Sequence, residues 1–184
     1  LEAQMFMEIP NSSIDGLRKS SAVFADVEND GDPDLLICGY NSLEQPVTKL
    51  YSNDGNGNFM LVEDTPFENV AEGDLAFFDA DLDGDQDVLL TGKNVFGYPV
   101  AALFVNDGFG VFTLEQDAPF EAVYSSTIAV ADFDNDNDMD VFITGSTGQN
   151  PYEQPVAYLY ANNGLGVFTM VPGTPFIGVF RGSA

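Results

Sequence analysis

The chain has 184 residues, 45% of them hydrophobic and 12% aromatic, enough to fill the core of an ordinary domain and too many for a disordered acidic tail. Thirty acids face five bases (Arg18, Lys19, Lys49, Lys93 and Arg181), with no histidine, for a net charge of -25, so nucleic acid and anionic membrane are poor partners. Salt bridges can neutralise only a small minority of those carboxylates, and divalent cations are the obvious compensation.

In chain order, Leu1 to Phe6 lacks the charged and apolar regions of a signal peptide, and no stretch reaches transmembrane length. Residues 4 to 9 (Gln-Met-Phe-Met-Glu-Ile) match the last strand of a repeating unit. Asn11-Ser-Ser13 is the one N-glycosylation sequon, a short pattern common by chance that matters only where the source glycosylates secreted proteins. Three related segments then open at Asp26, Asp79 and Asp132, each 53 residues after the last. Phe6, Phe59, Phe112 and Phe168 mark a second recurring position, and the extra residues of the last interval fall between Gly145 and Val156, as in a surface loop. Cys38, the single cysteine, sits in the apolar run Asp34 to Gly39 and reads as a small buried hydrophobe rather than a reactive thiol.

Each unit holds four runs of strand character, bounded by Gly, Asn, Asp or Pro. In the second they are Leu75 to Phe78, Val88 to Thr91, Val100 to Val105 and Val111 to Glu115. The first two flank an acidic loop. The last two flank Asn106-Asp-Gly-Phe-Gly110, a hairpin turn whose glycines permit positive φ. A Thr/Ala-Pro-Phe step (Thr65 to Phe67, Ala118 to Phe120, Thr174 to Phe176) precedes each next unit, with Pro ending the strand and Phe expected between neighbouring sheets. No segment reads as a helix. The expected fold is all-β: β-propeller-type tandem four-stranded antiparallel blades, about three complete blades (22–74, 75–127 and 128–180) plus one extra strand, with residues 1–21 ending a preceding unit. Known propellers close with about four to eight blades, so this stretch is expected to belong to a longer array or to be completed by other copies.

The acidic loops carry the chemistry. Asp26, Glu28, Asp30, Asp32 and Asp34, then Asp79, Asp81, Asp83, Asp85 and Asp87, then Asp132, Asp134, Asp136, Asp138 and Asp140 occupy positions one, three, five, seven and nine, and together hold 15 of the 30 acids. Ca2+, a hard cation that takes six to eight oxygens, needs carboxylates converging from alternate positions of a tight loop, usually completed by the carbonyl of position seven. Position six must turn sharply and is Gly31, Gly84 or Asn137. An EF-hand would continue to a Glu at position twelve inside a helix; here that position is Ile37, Leu90 or Ile143, in a strand. Magnesium keeps its waters, and zinc would want His or Cys. About three calcium ions, one per loop, are therefore expected, taking the charge from -25 to -19. An Asp-rich turn held by local side-chain bonds is the alternative, and three coincident copies count against it.

Together with the Asn-Asp/Asn-Gly-x-Gly-x-Phe turns (Asn53 to Phe59, Asn106 to Phe112, Asn162 to Phe168) and the aromatic step, these loops resemble FG-GAP or VCBS-type repeats, a resemblance spanning nearly the whole chain. The resemblance implies a β-propeller like the integrin α-subunit head, with calcium in the hairpin between the first two strands of a blade, and an extracellular or cell-surface location. Glu28 departs from the usual Asp and is expected to weaken or reshape its site; Asn137 departs from Gly.

Three functions follow as expectations. The first is a non-enzymatic secreted module for adhesion, scaffolding or filament and surface assembly, associating with other copies of the repeat or with a protein ligand. The second is a lectin-like glycan binder using Tyr40, Phe96, Tyr98 and Tyr152 after the second strand, weakened by the lack of tryptophan. The third is part of a propeller-type polysaccharide lyase or hydrolase. Without histidine a Ser-His-Asp or Cys-His site is impossible, and no carboxylate pair outside the loops suits acid and base roles. The Gly-rich turns open strands rather than helices and lack a following Lys-Ser/Thr, which counts against phosphate binding.

Overall fold

A computed structural model describes residues 14–148 and 154–179. The strand expected over residues 4 to 9, Asn11, Tyr152 and Arg181 lie outside them. The described residues contain strands and no helix. They form three four-stranded antiparallel sheets, each a sequential meander: β1 (Arg18–Ala25), β2 (Asp34–Tyr40), β3 (Pro46–Asn53) and β4 (Phe59–Leu61); β5 (Leu75–Phe78), β6 (Asp87–Lys93), β7 (Pro99–Asn106) and β8 (Phe112–Leu114); β9 (Tyr124–Ala131), β10 (Asp140–Ser146), β11 (Pro155–Ala161) and β12 (Thr169–Met170).

Why the second strand of each unit is so apolar follows from what packs on its two faces. Successive side chains of a strand point to opposite faces. Val88 and Leu90 of β6 pack with Leu36, Cys38 and Leu50 of the first sheet, while Leu89, between them, packs with Val141, Ile143 and Tyr160 of the third. A strand buried on both faces cannot alternate with polar residues, and Asp87 to Thr91 is wholly buried. Cys38 belongs to the first of these interfaces, and burial pushes its thiol up to about 12.

The Pro-Phe step inserts between sheets as expected. The Phe67 ring centroid lies 5.0 Å from those of Phe104 and Phe112, and Phe120 lies 4.9 Å from Tyr160 and 5.0 Å from Phe168. Phe176, at the same position after the third sheet, rests 4.8 Å from Phe142 and stays 47% exposed, against 6% for Phe67 and 8% for Phe120. Phe120→Ala is therefore expected to cost about 3 kcal/mol, and Phe176→Ala less than about 1 kcal/mol, in urea unfolding midpoints. Equal losses would mean that the wedge does not hold the sheets together.

Successive units are bonded to one another near the start of their first strands. Lys19, Glu72 and Ser125 occupy the same place in successive units with φ of 48°, 55° and 47°. Glu72 N–H donates to the Lys19 carbonyl (3.1 Å) and Ser125 N–H to the Glu72 carbonyl (2.5 Å). Lys19 Nζ adds an ion pair to Glu72 at 2.7 Å. All three acidic loops join the first strand of a sheet to its second.

Candidate metal centre

Each loop is built by its own carboxylates. At position one, Asp26 accepts the N–H groups of Asp30 (3.0 Å) and Gly31 (2.8 Å), and Asp132 those of Asp136 and Asn137 (both 3.1 Å). Asp79 accepts from Gly84 at 3.1 Å. At position five, Asp30, Asp83 and Asp136 accept the N–H two residues on. The chain reverses through Gly31 (φ 96°), Gly84 (φ 97°) and Asn137 (φ 73°), as the loop pattern requires. Position four is also left-handed, at Asn29, Leu82 and Asn135. Only two of those three are residues that tolerate this region easily, so the sequence signals it poorly.

In the first two loops the position-seven carboxylates rest against the neighbouring hairpin. The carboxylates of Asp32 and Asp85 lie against Gly55 and Gly108 of the hairpin in the same sheet, where a Cβ would collide with them. Position nine has a second task beyond the expected one. Asp34, Asp87 and Asp140 are buried. One oxygen of each accepts the N–H of position two (Val27 3.0 Å, Ala80 2.8 Å, Phe133 3.0 Å). The other accepts the N–H of the Asn that opens the next hairpin (Asn53 2.9 Å, Asn106 2.8 Å, Asn162 2.9 Å).

Two of the three loops gather their acids. Asp79, Asp81 and Asp87 bring one oxygen each within 4.8 Å of one another, as do Asp132, Asp134 and Asp136. In these same loops Asp79 Oδ1 and Asp138 Oδ1 are buried without a hydrogen-bond partner, and Asp138 is only 4% exposed. A buried carboxylate oxygen left unpaired is costly, and a cation is the partner that a group of carboxylates can accept. Among the described residues, the first loop forms no such group of three. There Glu28 reaches aside and accepts a hydrogen bond from Ser52 Oγ at 3.2 Å. The donor set, hard oxygens only, fits calcium in the second and third loops.

The crowding shows in the acidities. Burial, only partly offset by the Asn106 and Ala80 N–H groups, pushes Asp87 up to about 6. Burial together with Asp136 and Asp140 pushes Asp138 up to about 6. Burial, then Asp83, also raises Asp81. Such groups are near 3.9 in an unfolded chain. A folded-state value raised above the unfolded one contributes stability that is present at low pH and lost as pH rises through about 6. With divalent ions chelated, acidification from pH 7 to pH 5 is therefore expected to raise the melting temperature. In millimolar calcium the same change is expected to lower it, because protons then compete with the ion. Parallel pH profiles with and without chelator would contradict this.

Sequence reading missed one feature of the site. The side chains of Asn106 and Asn162 each reach back to the preceding loop: Asn106 Nδ2 donates to the Val27 carbonyl (2.8 Å) and Asn162 Nδ2 to the Ala80 carbonyl (2.7 Å). The recurrence of Asn at 53, 106 and 162 was the available signal, and it read as a turn residue.

A family model described as FG-GAP-like repeat matches residues 26–90 and 79–143. Each match starts at position one of an acidic loop and runs through the next loop into the strand that follows it. No curated protein matches the chain. With matches across well over half of its length, three propeller-like sheets and the acidic loops where the repeat begins, the chain belongs to the FG-GAP-like repeat family.

Proposed function

We propose that this chain is a non-enzymatic, extracellular calcium-binding module for adhesion, scaffolding or filament and surface assembly, working through association with other copies of the repeat or with a protein ligand. The observation that carries the reading is the pair of buried, unpartnered carboxylate oxygens, Asp79 Oδ1 and Asp138 Oδ1, in loops dense with other acids. Calcium at the second and third loops supplies their partner and relieves the repulsion within each group. Asp26, Glu28, Asp30, Asp32 and Asp34 form a third, weaker site, since Glu28 must leave Ser52 to join it. FG-GAP-like repeats are typically extracellular, where millimolar calcium keeps such loops filled, and among the described residues no helix is long and apolar enough to cross a membrane. Assembly is supported by the outer face of the third sheet. Phe133 and Phe176 are 44% and 47% exposed there, while their counterparts between the sheets are buried.

A glycan-binding reading is favoured by Phe96 and Tyr98, 78% and 55% exposed in the connection between β6 and β7. Light scattering in 1 mM calcium and in chelator tests the leading reading. Defined oligomers that dissociate or unfold in chelator are the expected result. A stable monomer under both conditions would overturn self-assembly, and binding to an immobilised glycan array would then favour the second reading.

A further inference from the structure

A continuous line of buried polar groups runs through all three loops, beside a Gly166 N–H bond to the Ala80 carbonyl (3.1 Å). It starts at Asp34, which accepts Val27 N–H (3.0 Å); the Val27 carbonyl accepts Asn106 Nδ2 (2.8 Å), and Asn106 N–H donates to Asp87 (2.8 Å). The other oxygen of Asp87 accepts Ala80 N–H (2.8 Å), and the Ala80 carbonyl accepts Asn162 Nδ2 (2.7 Å). Asn162 N–H then donates to Asp140 (2.9 Å), which accepts Phe133 N–H (3.0 Å). From Asp34 to Asp140 every link is buried, so water does not compete for any of them.

The line crosses the second loop where a cation would grip it. Ala80 lies between Asp79 and Asp81, two members of the second carboxylate group, so the peptides that join those ligands carry the N–H and C=O of the line. Drawing Asp79 and Asp81 onto an ion fixes the orientation of both peptides. Asn162 feels that through the Ala80 carbonyl, and its backbone holds Asp140 of the third loop. Asn106 Oδ1 is buried without a partner, so this amide is seated for the donor that it supplies to Val27.

We infer, resting on the calcium reading above, that Asn106 and Asn162 are positioning residues that couple the cation sites of adjacent sheets, so that filling one loop raises the affinity of the next. The sign separates this from electrostatics. Two dications repel, and through space alone they would give negative coupling, largely screened beyond about 8 Å at physiological salt.

The test uses the full chain and calcium calorimetry in physiological salt. Asp134→Asn with Asp136→Asn disables the third loop; both residues are exposed, and the asparagines keep their oxygens as acceptors. With Asn162 intact, this is expected to weaken calcium binding at the second loop by about 5-fold, the lower end of typical coupling. In an Asn162→Ala background the same disabling is expected to change it less than about 2-fold, as coupling is lost. Asn53→Ala is the control, because Asn53 Nδ2 bonds Pro33 within its own loop (3.0 Å); it should leave the 5-fold effect in place. If Asn162→Ala does not fold, hydrogen exchange decides: disabling the third loop should speed exchange of the Ala80 amide while the second loop is kept saturated. Second-loop affinity indifferent to the third loop, or an unchanged Ala80 amide, overturns the coupling and leaves the calcium reading standing. A chain that binds no calcium at all overturns both.

Discussion

Excess chelator is expected to lower the melting temperature of this protein by about 10–20 °C. If a loop binds calcium near 10 μM and free calcium is near 1 mM, linkage supplies about 2.7 kcal/mol per site, and the two loops that gather their acids supply about 5 kcal/mol. That is a large share of a typical folding free energy, and for a domain of this size each kcal/mol moves the midpoint by about 2–4 °C. The ion also removes two costs that the folded chain otherwise carries: the unpaired oxygens of Asp79 and Asp138, and the mutual repulsion that helps to push Asp138 up to about 6. The first loop contributes least, because Glu28 is engaged with Ser52 and, among the described residues, its acids form no group of three. Differential scanning calorimetry with calcium and with chelator measures the difference directly. Coincident melts would mean that the acidic loops are turns held by their own bonds.

Much of this arrangement was legible in the sequence, because its determinants are local. The 53-residue period, the strand runs and the turn glycines rest on near neighbours, and β5 was read to the residue as Leu75 to Phe78. The second strand runs longer than the apolar stretch suggests, from Asp87 to Lys93, because its first residue is a buried carboxylate that binds backbone and its last is a lysine over the Tyr124 ring. The fourth strand, Phe112–Leu114, is shorter than read, although Glu115 N–H still donates to the Leu103 carbonyl. Glu28 announced an altered first loop simply by its extra methylene. The double role of position nine was not legible, since Asp34, Asp87 and Asp140 look like every other acid of the alternation. Nor were the partners of Asn106 and Asn162, which lie 79 and 82 residues back along the chain. The recurrence of Asn at 53, 106 and 162 marks the position, but nothing near it in the sequence names a partner in another sheet.

Position nine and position five of one loop should respond to substitution in opposite ways, and this separates bracing from ligation. Asp87 is wholly buried, and both its oxygens accept backbone N–H groups, from Ala80 and Asn106. Asp87→Ala leaves two buried donors unpaired, at about 1–3 kcal/mol each, and is expected to cost about 4 kcal/mol even in chelator. Asp87→Asn, whose one amide oxygen can serve only one of the two donors, should lose about half of that. Asp83 is exposed, and its carboxylate accepts Asp85 N–H (3.0 Å), a bond that an asparagine oxygen can still accept. Asp83→Asn is therefore expected to leave stability in chelator within about 0.5 kcal/mol of the parent and, if the proposed site uses position five, to weaken calcium binding by about tenfold, as a charged carboxylate becomes neutral. Urea unfolding in chelator and calcium calorimetry measure the two quantities separately. If Asp87→Ala destabilised the chain only when calcium is present, position nine would be a ligand alone, and the buried N–H groups of Ala80 and Asn106 would have found other partners.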